Sequence, residues 1–260
     1  MPKNKNDRAT RLRDIEKLIL STGSCSTAEI AEKFKISAMT VHRDLELLEE
    51  SGIIRRIRGG ATALSSNLLE SHIRYRQAAN LPIKRRLASA AVELVEPSNA
   101  VMLDDSTTVG MMYEGLSQKK PLTIISNSVN RMMEFARIPE IKFVSLGGEY
   151  NARYAATVGL MAEESIKSVH PDFVFMSAHA MFDGGIYHPD ESIVRVKKAM
   201  LRVASKAVLL IDSTKLFSES LYRVADLSDF YCIVVDSRID PDFIQDLKAH
   251  QNKIEIIIAE

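Results

Sequence analysis

The 260-residue chain is 46% hydrophobic and carries 34 Lys+Arg against 34 Asp+Glu, enough material for one large domain plus a small one. Two cysteines without metal-ligand spacing, a polar start (MPKNKNDRATRLRD) and no apolar run near the ~18 residues of a membrane span argue against a disulfide scaffold, a signal peptide and a membrane anchor. The expected compartment is a reducing cytoplasm, with no membrane partner and no cofactor. The neutral total hides an asymmetry: residues 1–64 hold 12 Lys+Arg against 9 Asp+Glu, and the remainder 22 against 25. The smaller end is the basic one, as contact with nucleic acid requires.

In chain order, Thr10 to Leu20 reads as a first helix, burying Leu12, Ile15, Leu18 and Ile19 and ending at Gly23. Ser26 and Glu29 have the spacing of a capping box, and Cys25 and Ile30 that of a hydrophobic staple over it. The short helix runs through Phe34, turns at Lys35-Ile36, and is followed by a second cap at Ser37 with Ile36 and Val41 as staple. The second helix continues to about Ser51, and Gly52 is its left-handed stop. Two capped helices across so short a turn predict a helix-turn-helix.

At 100° per residue, Val41, Leu45 and Leu48 share the buried face of the second helix. Met39 and Arg43 lie opposite, flanked by Thr40 and His42, while Glu46 and Glu50 continue that outer stripe and would be repelled by phosphates. Only the first two turns can approach DNA closely, which is how a recognition helix enters the major groove. The segment from Ile53 to Leu64 alternates basic and apolar residues around Gly59-Gly60. It predicts a two-stranded wing in which Arg55, Arg56 and Arg58 grip the backbone. The competing reading is a plain helical hairpin with a charged β-ribbon.

The residues Ser26-Thr27-Ala28-Glu29-Ile30-Ala31, Ile36-Ser37, Met39-Thr40-Val41, Arg43-Asp44-Leu45, Leu48-Glu49 and Arg58-Gly59-Gly60-Ala61 resemble the N-terminal domain of the DeoR family of bacterial transcriptional regulators. His42 departs from that pattern, which usually has an arginine there. The resemblance implies binding to double-stranded operator DNA through Ser37, Met39, Thr40, His42, Arg43 and the three wing arginines.

Residues 65–81 are polar with scattered apolar positions and read as a connector. From Pro82 the chain alternates. Helices are expected at Ile83–Val95, Thr108–Leu116, Val129–Ala136, Ala162–Ser168, Ser192–Ala204 and Pro241–His250. Strands are expected at Ala100–Leu103, Leu122–Ile125, Lys142–Leu146, Phe173–Ser177, Ala207–Ile211, Tyr231–Val235 and Ile254–Ile258. Short apolar strands between helices imply a mostly parallel sheet covered on both faces. The expected architecture is α/β: a winged helix-turn-helix domain over 7–64, a linker over 65–81 and a larger sensor domain over 82–260.

Ligands of such sheets bind outside the carboxyl ends of the strands. Those ends carry Asp104-Asp105-Ser106-Thr107-Thr108, Ser126-Asn127-Ser128, Gly147-Gly148-Glu149 and Asp212-Ser213-Thr214-Lys215. Hydroxyls, free N–H groups at helix starts, a glycine pair and a lysine suit a phosphate or polyol, although capping hydroxyls are also routine structural features. Lys84, Leu103-Asp104, Ser106-Thr107-Thr108, Ser126-Asn127-Ser128, Gly147-Gly148, Val158-Gly159, Asp172 and Asp212-Ser213-Thr214-Lys215 resemble the sensor domain of the same DeoR family. That sensor is similar in fold to ribose-5-phosphate isomerase and coenzyme A transferases. The resemblance implies a phosphorylated sugar or related metabolite as effector, held by Asp104, Ser106, Thr107, Thr108, Ser126, Asn127, Gly147, Gly148 and Lys215. The pattern departs at Ser177-Ala178-His179-Ala180 and at Asp105. His179, Asp183, His188 and Asp190 cluster in sequence, but their spacing fits no metal pattern.

Two functions follow. One is a ligand-controlled DNA-binding regulator, expected to repress carbohydrate catabolism genes as a homodimer or higher homo-oligomer. The other is an enzyme of phosphosugar isomerase type with a DNA-binding appendage, using Asp104, Asp105 or Glu149 with Lys215 as base and acid. No spacing singles out a base, so the regulator is the preferred reading and no catalytic residue is expected.

Overall fold

The structure, a computed structural model, describes residues 5–50, 54–63, 76–77, 79–250 and 254–260. The expected stop at Gly52, the wing ends at Ile53 and Leu64, and most of the 65–81 connector lie outside the described residues. The chain divides into two compact units, Met1–Arg76 and Gln77–Glu260. Among the described residues no helix is long and apolar enough to cross a membrane.

The first unit comprises α1 (Lys5–Thr22), β1 (Ser24–Ser26), α2 (Thr27–Phe34), α3 (Ala38–Glu50), β2 (Ile54–Ile57) and β3 (Gly60–Ala63). Its core joins Ile15 and Ile19 of α1 to Cys25, Ile30, Val41, Leu45, Leu48, Ile54 and Ala61. Each large aliphatic side chain buried there contributes about 1.5–3 kcal/mol. The capping box is present: Ser26 Oγ accepts from the Glu29 N–H at 3.1 Å, and Glu29 Oε2 accepts from the Ser26 N–H at 2.7 Å. Lys35 takes the left-handed conformation that stops α2, and Ser37 Oγ accepts from the Thr40 N–H at 3.2 Å to open α3.

The sheet of this unit has three strands in the order β1-β3-β2, one more than the wing alone. Residues 24–26, expected only as a staple and cap, pair with 60–62. Gly60 makes that possible, since a Cβ there would collide with the Cys25 carbonyl oxygen and stand 2.8 Å from Ser26 Cα.

The second unit contains α4 (Leu81–Val92), β4 (Ala100–Leu103), α5 (Tyr113–Leu116), β5 (Leu122–Ser126), α6 (Val129–Phe135), β6 (Ile141–Ser145), β7 (Glu149–Asn151), β8 (Ala156–Val158), α7 (Leu160–Lys167), β9 (Phe173–Met176), β10 (Ala180–Phe182), β11 (Gly185–His188), α8 (Glu191–Val203), β12 (Lys206–Ile211), β13 (Tyr222–Asp226), β14 (Cys232–Asp236), α9 (Pro241–His250) and β15 (Glu255–Ala259). Seven strands form one sheet, ordered β15-β14-β12-β9-β4-β5-β6, and every neighbouring pair is parallel. Alternate residues feed two cores. Val101, Leu103, Phe175, Val208 and Val234 face Leu87 and Ala91 of α4. Met102, Val174, Met176, Leu209 and Ile233 face Ile166 of α7 and Ile193, Val196 and Met200 of α8. Both faces being covered, the strands are apolar throughout rather than alternating.

The second unit differs from the expected elements in three places. Pro82 lies within the first turn of α4 rather than before it, a place where its missing N–H costs nothing. The helix expected at Thr108–Leu116 begins as a 3-10 turn over Val109–Met112. Two antiparallel pieces were not expected: the β7–β8 hairpin and the β10-β11-β13 sheet.

Chain order runs β4, β5, β6 toward one edge and β9, β12, β14, β15 toward the other. The direction of winding therefore reverses between β4 and β9, and it is outside the carboxyl ends of strands at such a reversal that open α/β sheets bind ligands.

Candidate nucleic-acid interface and sensor site

On α3 the outward stripe is where the wheel puts it. Met39 is 70% exposed, His42 and Arg43 are exposed, and Thr40 is half-buried. Thr40 also shares its hydroxyl with Ser37 Oγ at 2.9 Å, so both residues are part of the cap. The first turn carries no acid. Asp44, the first acid along the helix, is 1% exposed and turned inward, accepting from Arg11 Nε at 2.7 Å with Arg8 Nε at 3.7 Å. That pair ties α1 to α3 and removes a negative charge from the outer face.

The wing arginines separate into two groups. All three are exposed, and Arg58-Gly59 forms the two-residue turn between Ile57 and Gly60. Arg56 instead reaches α3. Its Nη1 lies 3.3 Å from Glu46 Oε1, its Nε 3.8 Å from Glu49 Oε2, and its backbone N–H donates to Glu49 Oε1 at 2.7 Å. Strand alternation explains the split, because Arg56 shares a strand face with buried Ile54.

In the second unit, Asp104 directly follows β4 and is 1% exposed. One oxygen accepts from the Ser106 N–H at 2.9 Å; the other accepts from the Ser177 N–H at 2.9 Å and from Lys197 Nζ. Lys197, from α8 and 2% exposed, also donates to the Ser177 carbonyl at 3.0 Å and stands 3.8 Å from Asp105. Lys84, from α4 and 4% exposed, donates to Thr107 Oγ1 at 3.1 Å. Lys215, following β12, donates to Ser177 Oγ at 3.1 Å and lies 3.6 Å from Asp212. The loops after β4, β9 and β12 are thus laced together by lysines. Thr108 Oγ1 is buried there with no hydrogen-bond partner.

Of the sequence-derived residues, Asp104, Ser106, Thr107, Thr108 and Lys215 belong to these adjoining strand ends. Ser126 and Asn127, on the next strand, bind backbone: Ser126 Oγ donates to the Leu103 carbonyl at 2.7 Å and Asn127 Nδ2 to the Thr157 carbonyl at 3.0 Å. Asn127 Oδ1 is buried without a partner. Gly147 and Gly148 follow β6, two strands from β4. Gly148 has φ +140°, and a Cβ there would meet the Val158 carbonyl at 2.6 Å, so backbone packing accounts for it. Lys197 is not among the expected site residues, and Ser177 is there only as a departure from the family pattern.

Near these loops Arg131 is buried. Burial lowers its pKa against the opposing charges of Glu134 and Asp104, and burial raises that of Glu134 against the Arg131 charge. Arg131 Nη2 donates to Glu134 at 3.0 Å. The His179 and His188 rings meet edge-on at 5.9 Å, and His188 Nδ1 accepts from the Asp190 N–H at 3.1 Å. Asp190 caps α8 through the Ser192 N–H at 2.9 Å, and Asp183 lies in the β10–β11 turn. Among the described residues no group of three His, Cys, Asp or Glu side chains could hold a metal.

Comparison with known proteins adds the following. Ribose 5-phosphate isomerase A from Methanocaldococcus jannaschii overlays on 53% of this chain and 55% of its own, at TM-score 0.39 and 18% identity. The L-fucose operon activator of Haemophilus influenzae is 31% identical over 86% of this chain and 89% of its own length. The lactose phosphotransferase system repressor of Streptococcus mutans is 29% identical over 92% and 96%, and the putative aga operon transcriptional repressor of Escherichia coli O157:H7 is 27% identical over 91% and 88%. These relatives are named as regulators and not as enzymes. Residues 11–67 match the DeoR-like helix-turn-helix domain and residues 79–237 the DeoR C-terminal sensor domain. The chain belongs to the DeoR family of DNA-binding transcriptional regulators.

Proposed function

We propose that the protein represses carbohydrate catabolism genes, binding double-stranded operator DNA as a homodimer or higher homo-oligomer under control of a phosphorylated sugar or related metabolite. α3 enters the major groove with Met39, Thr40, His42 and Arg43, arginine being the usual bidentate partner of guanine. Arg55 and Arg58 lie against phosphates. Symmetric pairing doubles the few base pairs that one such helix reads. Repression is favoured by relatives named as repressors, one of them of a lactose phosphotransferase system.

The observation that carries the sensor reading is the set of three lysines at the strand ends around the winding reversal. Lys197 is matched by Asp104. Lys215, whose side chain is 22% exposed and whose acidic neighbour stands at 3.6 Å, is the one an incoming phosphate reaches first. The hydroxyls of Ser106, Thr107 and Thr108 and the amide of Asn127 orient the sugar; Gly147 and Gly148 are left out of this reading. To act as a signal, the ligand must prefer one DNA-affinity state, because equal affinity shifts nothing.

The test pairs calorimetry against a panel of pentose and hexose phosphates with titration of a duplex enriched from a random pool by the wild-type chain. Lys215→Ala should lose the ligand heat and the ligand response while keeping ligand-free DNA binding. Undiminished heats in the variant, or turnover of any sugar phosphate by the wild type, would overturn it.

A further inference from the structure

Arg56 is the wing arginine whose charge is already engaged. Its guanidinium spans Glu46 and Glu49, at 3.3 and 3.8 Å, and its N–H, on the edge strand of the sheet, is taken by Glu49 at 2.7 Å. Glu46 lies seven residues after Met39, two turns along the same outward stripe, and is 61% exposed by side chain. Left uncovered, Glu46 and Glu49 would present two carboxylates beside the face that approaches DNA. Exposed ion pairs of this kind add little to fold stability, so stability is a weak reason for this arrangement. Their effect on the local field is large by comparison, because a binding protein and DNA meet through charge.

We propose that Arg56 is a positioning residue that masks Glu46 and Glu49 so that α3 can lie in the groove, and that it is not itself a phosphate contact. This rests on the reading of α3 as the DNA-reading helix. The division of labour in the wing follows from strand parity. Arg56, on the Ile54 side, serves the helix, and Arg55, on the opposite side, is left for the phosphates together with Arg58 in the turn.

The experiment is a binding cycle on the full chain with a duplex enriched by the wild type and a scrambled one, each across a salt series. The proteins are wild type, Arg56→Ala, Glu46→Gln/Glu49→Gln, and the triple variant, with Arg43→Ala alongside. Arg56→Ala should weaken both duplexes about tenfold, the scale of coupling between neighbouring charges. Glu46→Gln/Glu49→Gln should bind at least as tightly as wild type, and the triple variant should stay within about twofold of it. In that background, loss of Arg56 should leave the slope of log K against log salt unchanged, whereas loss of a phosphate contact lowers it by about 0.9.

A triple variant that falls as far below its parent as Arg56→Ala falls below wild type makes Arg56 a phosphate contact and overturns the proposal. Weakened binding by Glu46→Gln/Glu49→Gln would also overturn it, reducing the contact to a brace for the wing. If Arg43→Ala keeps full affinity and base preference, the underlying reading of α3 fails instead, a separate and recognisable result.

Discussion

Replacing Lys197 by methionine isolates the buried charge pair at the centre of the sensor unit. The lysine is 2% exposed and Asp104 1%, and methionine fills nearly the same volume, so the change removes a charge and leaves little cavity. Breaking a buried pair from one side costs about 3–5 kcal/mol. Asp104 would keep the Ser106 and Ser177 N–H donors, both at 2.9 Å, which places the expected loss near the lower end, about 3 kcal/mol. With a urea dependence of roughly 2 kcal/mol per molar, the unfolding midpoint of this unit should fall by about 1.5 M. The assay is urea denaturation of the full chain followed by near-ultraviolet circular dichroism. A midpoint within about 0.5 M of wild type, under roughly 1 kcal/mol, would refute Lys197 as the counter-charge of Asp104.

Gly60→Ala should destabilise the first unit by about 1–3 kcal/mol, since its Cβ collides with the backbone of β1; thermal unfolding of the full chain reads this as a shift in the transition of the first unit alone. Asp236 is fully buried, and burial pushes its pKa up, but donors from Ser213 and Arg238 outweigh that and hold it below the ordinary aspartate value. Its contribution is therefore present above about pH 4, the unfolded value, and lost as pH falls through the lower folded one, so Asp236→Asn should flatten the acid limb of a stability-against-pH series. Burial, then the charge of Glu255, pushes the Cys232 thiol up to about 12, so it should resist alkylation at pH 8 in the folded chain and react on unfolding; labelling at the native rate of a free thiol would contradict its place in the sheet.

The parallel sheet was legible because both of its faces are covered, which makes each strand a short apolar run that stands out between helices. Helix α3 was legible for the opposite reason, its single apolar stripe of Val41, Leu45 and Leu48. What escaped was pairing that needs few residues. Asp183 and Gly184 both have positive φ, 45° and 65°, in the two-residue turn between Phe182 and Gly185. An Asp-Gly pair is a strong hairpin signal, but the strands it joins here are only three and four residues long. The polar triplet Ser24–Ser26 carried no such signal; it is a strand only because Gly60 lets β3 come close.

The two residues that most change the picture of function were both readable from periodicity, though not their partners. In α8 the buried positions Ile193, Val196 and Met200 follow the i, i+3, i+7 spacing of an inward stripe, and Lys197 falls on the i+4 place within it while Lys198 faces out. A lysine on an apolar stripe must meet an acid, since an unpaired buried charge is too costly to keep. In β2, Arg56 stands two residues from buried Ile54 and so shares its face. The same rule covers both: a charged residue at a position whose period belongs to the core side is already spoken for. It cannot be counted among the groups free to meet DNA or a ligand. Naming the partner is another matter, because Asp104 lies 93 residues before Lys197 and only the folding of α8 onto the end of β4 joins them. By that rule Arg56 is committed to α3, and Lys197 and Lys84, each on the inward stripe of its helix, are committed to Asp104 and Thr107 at the loop after β4.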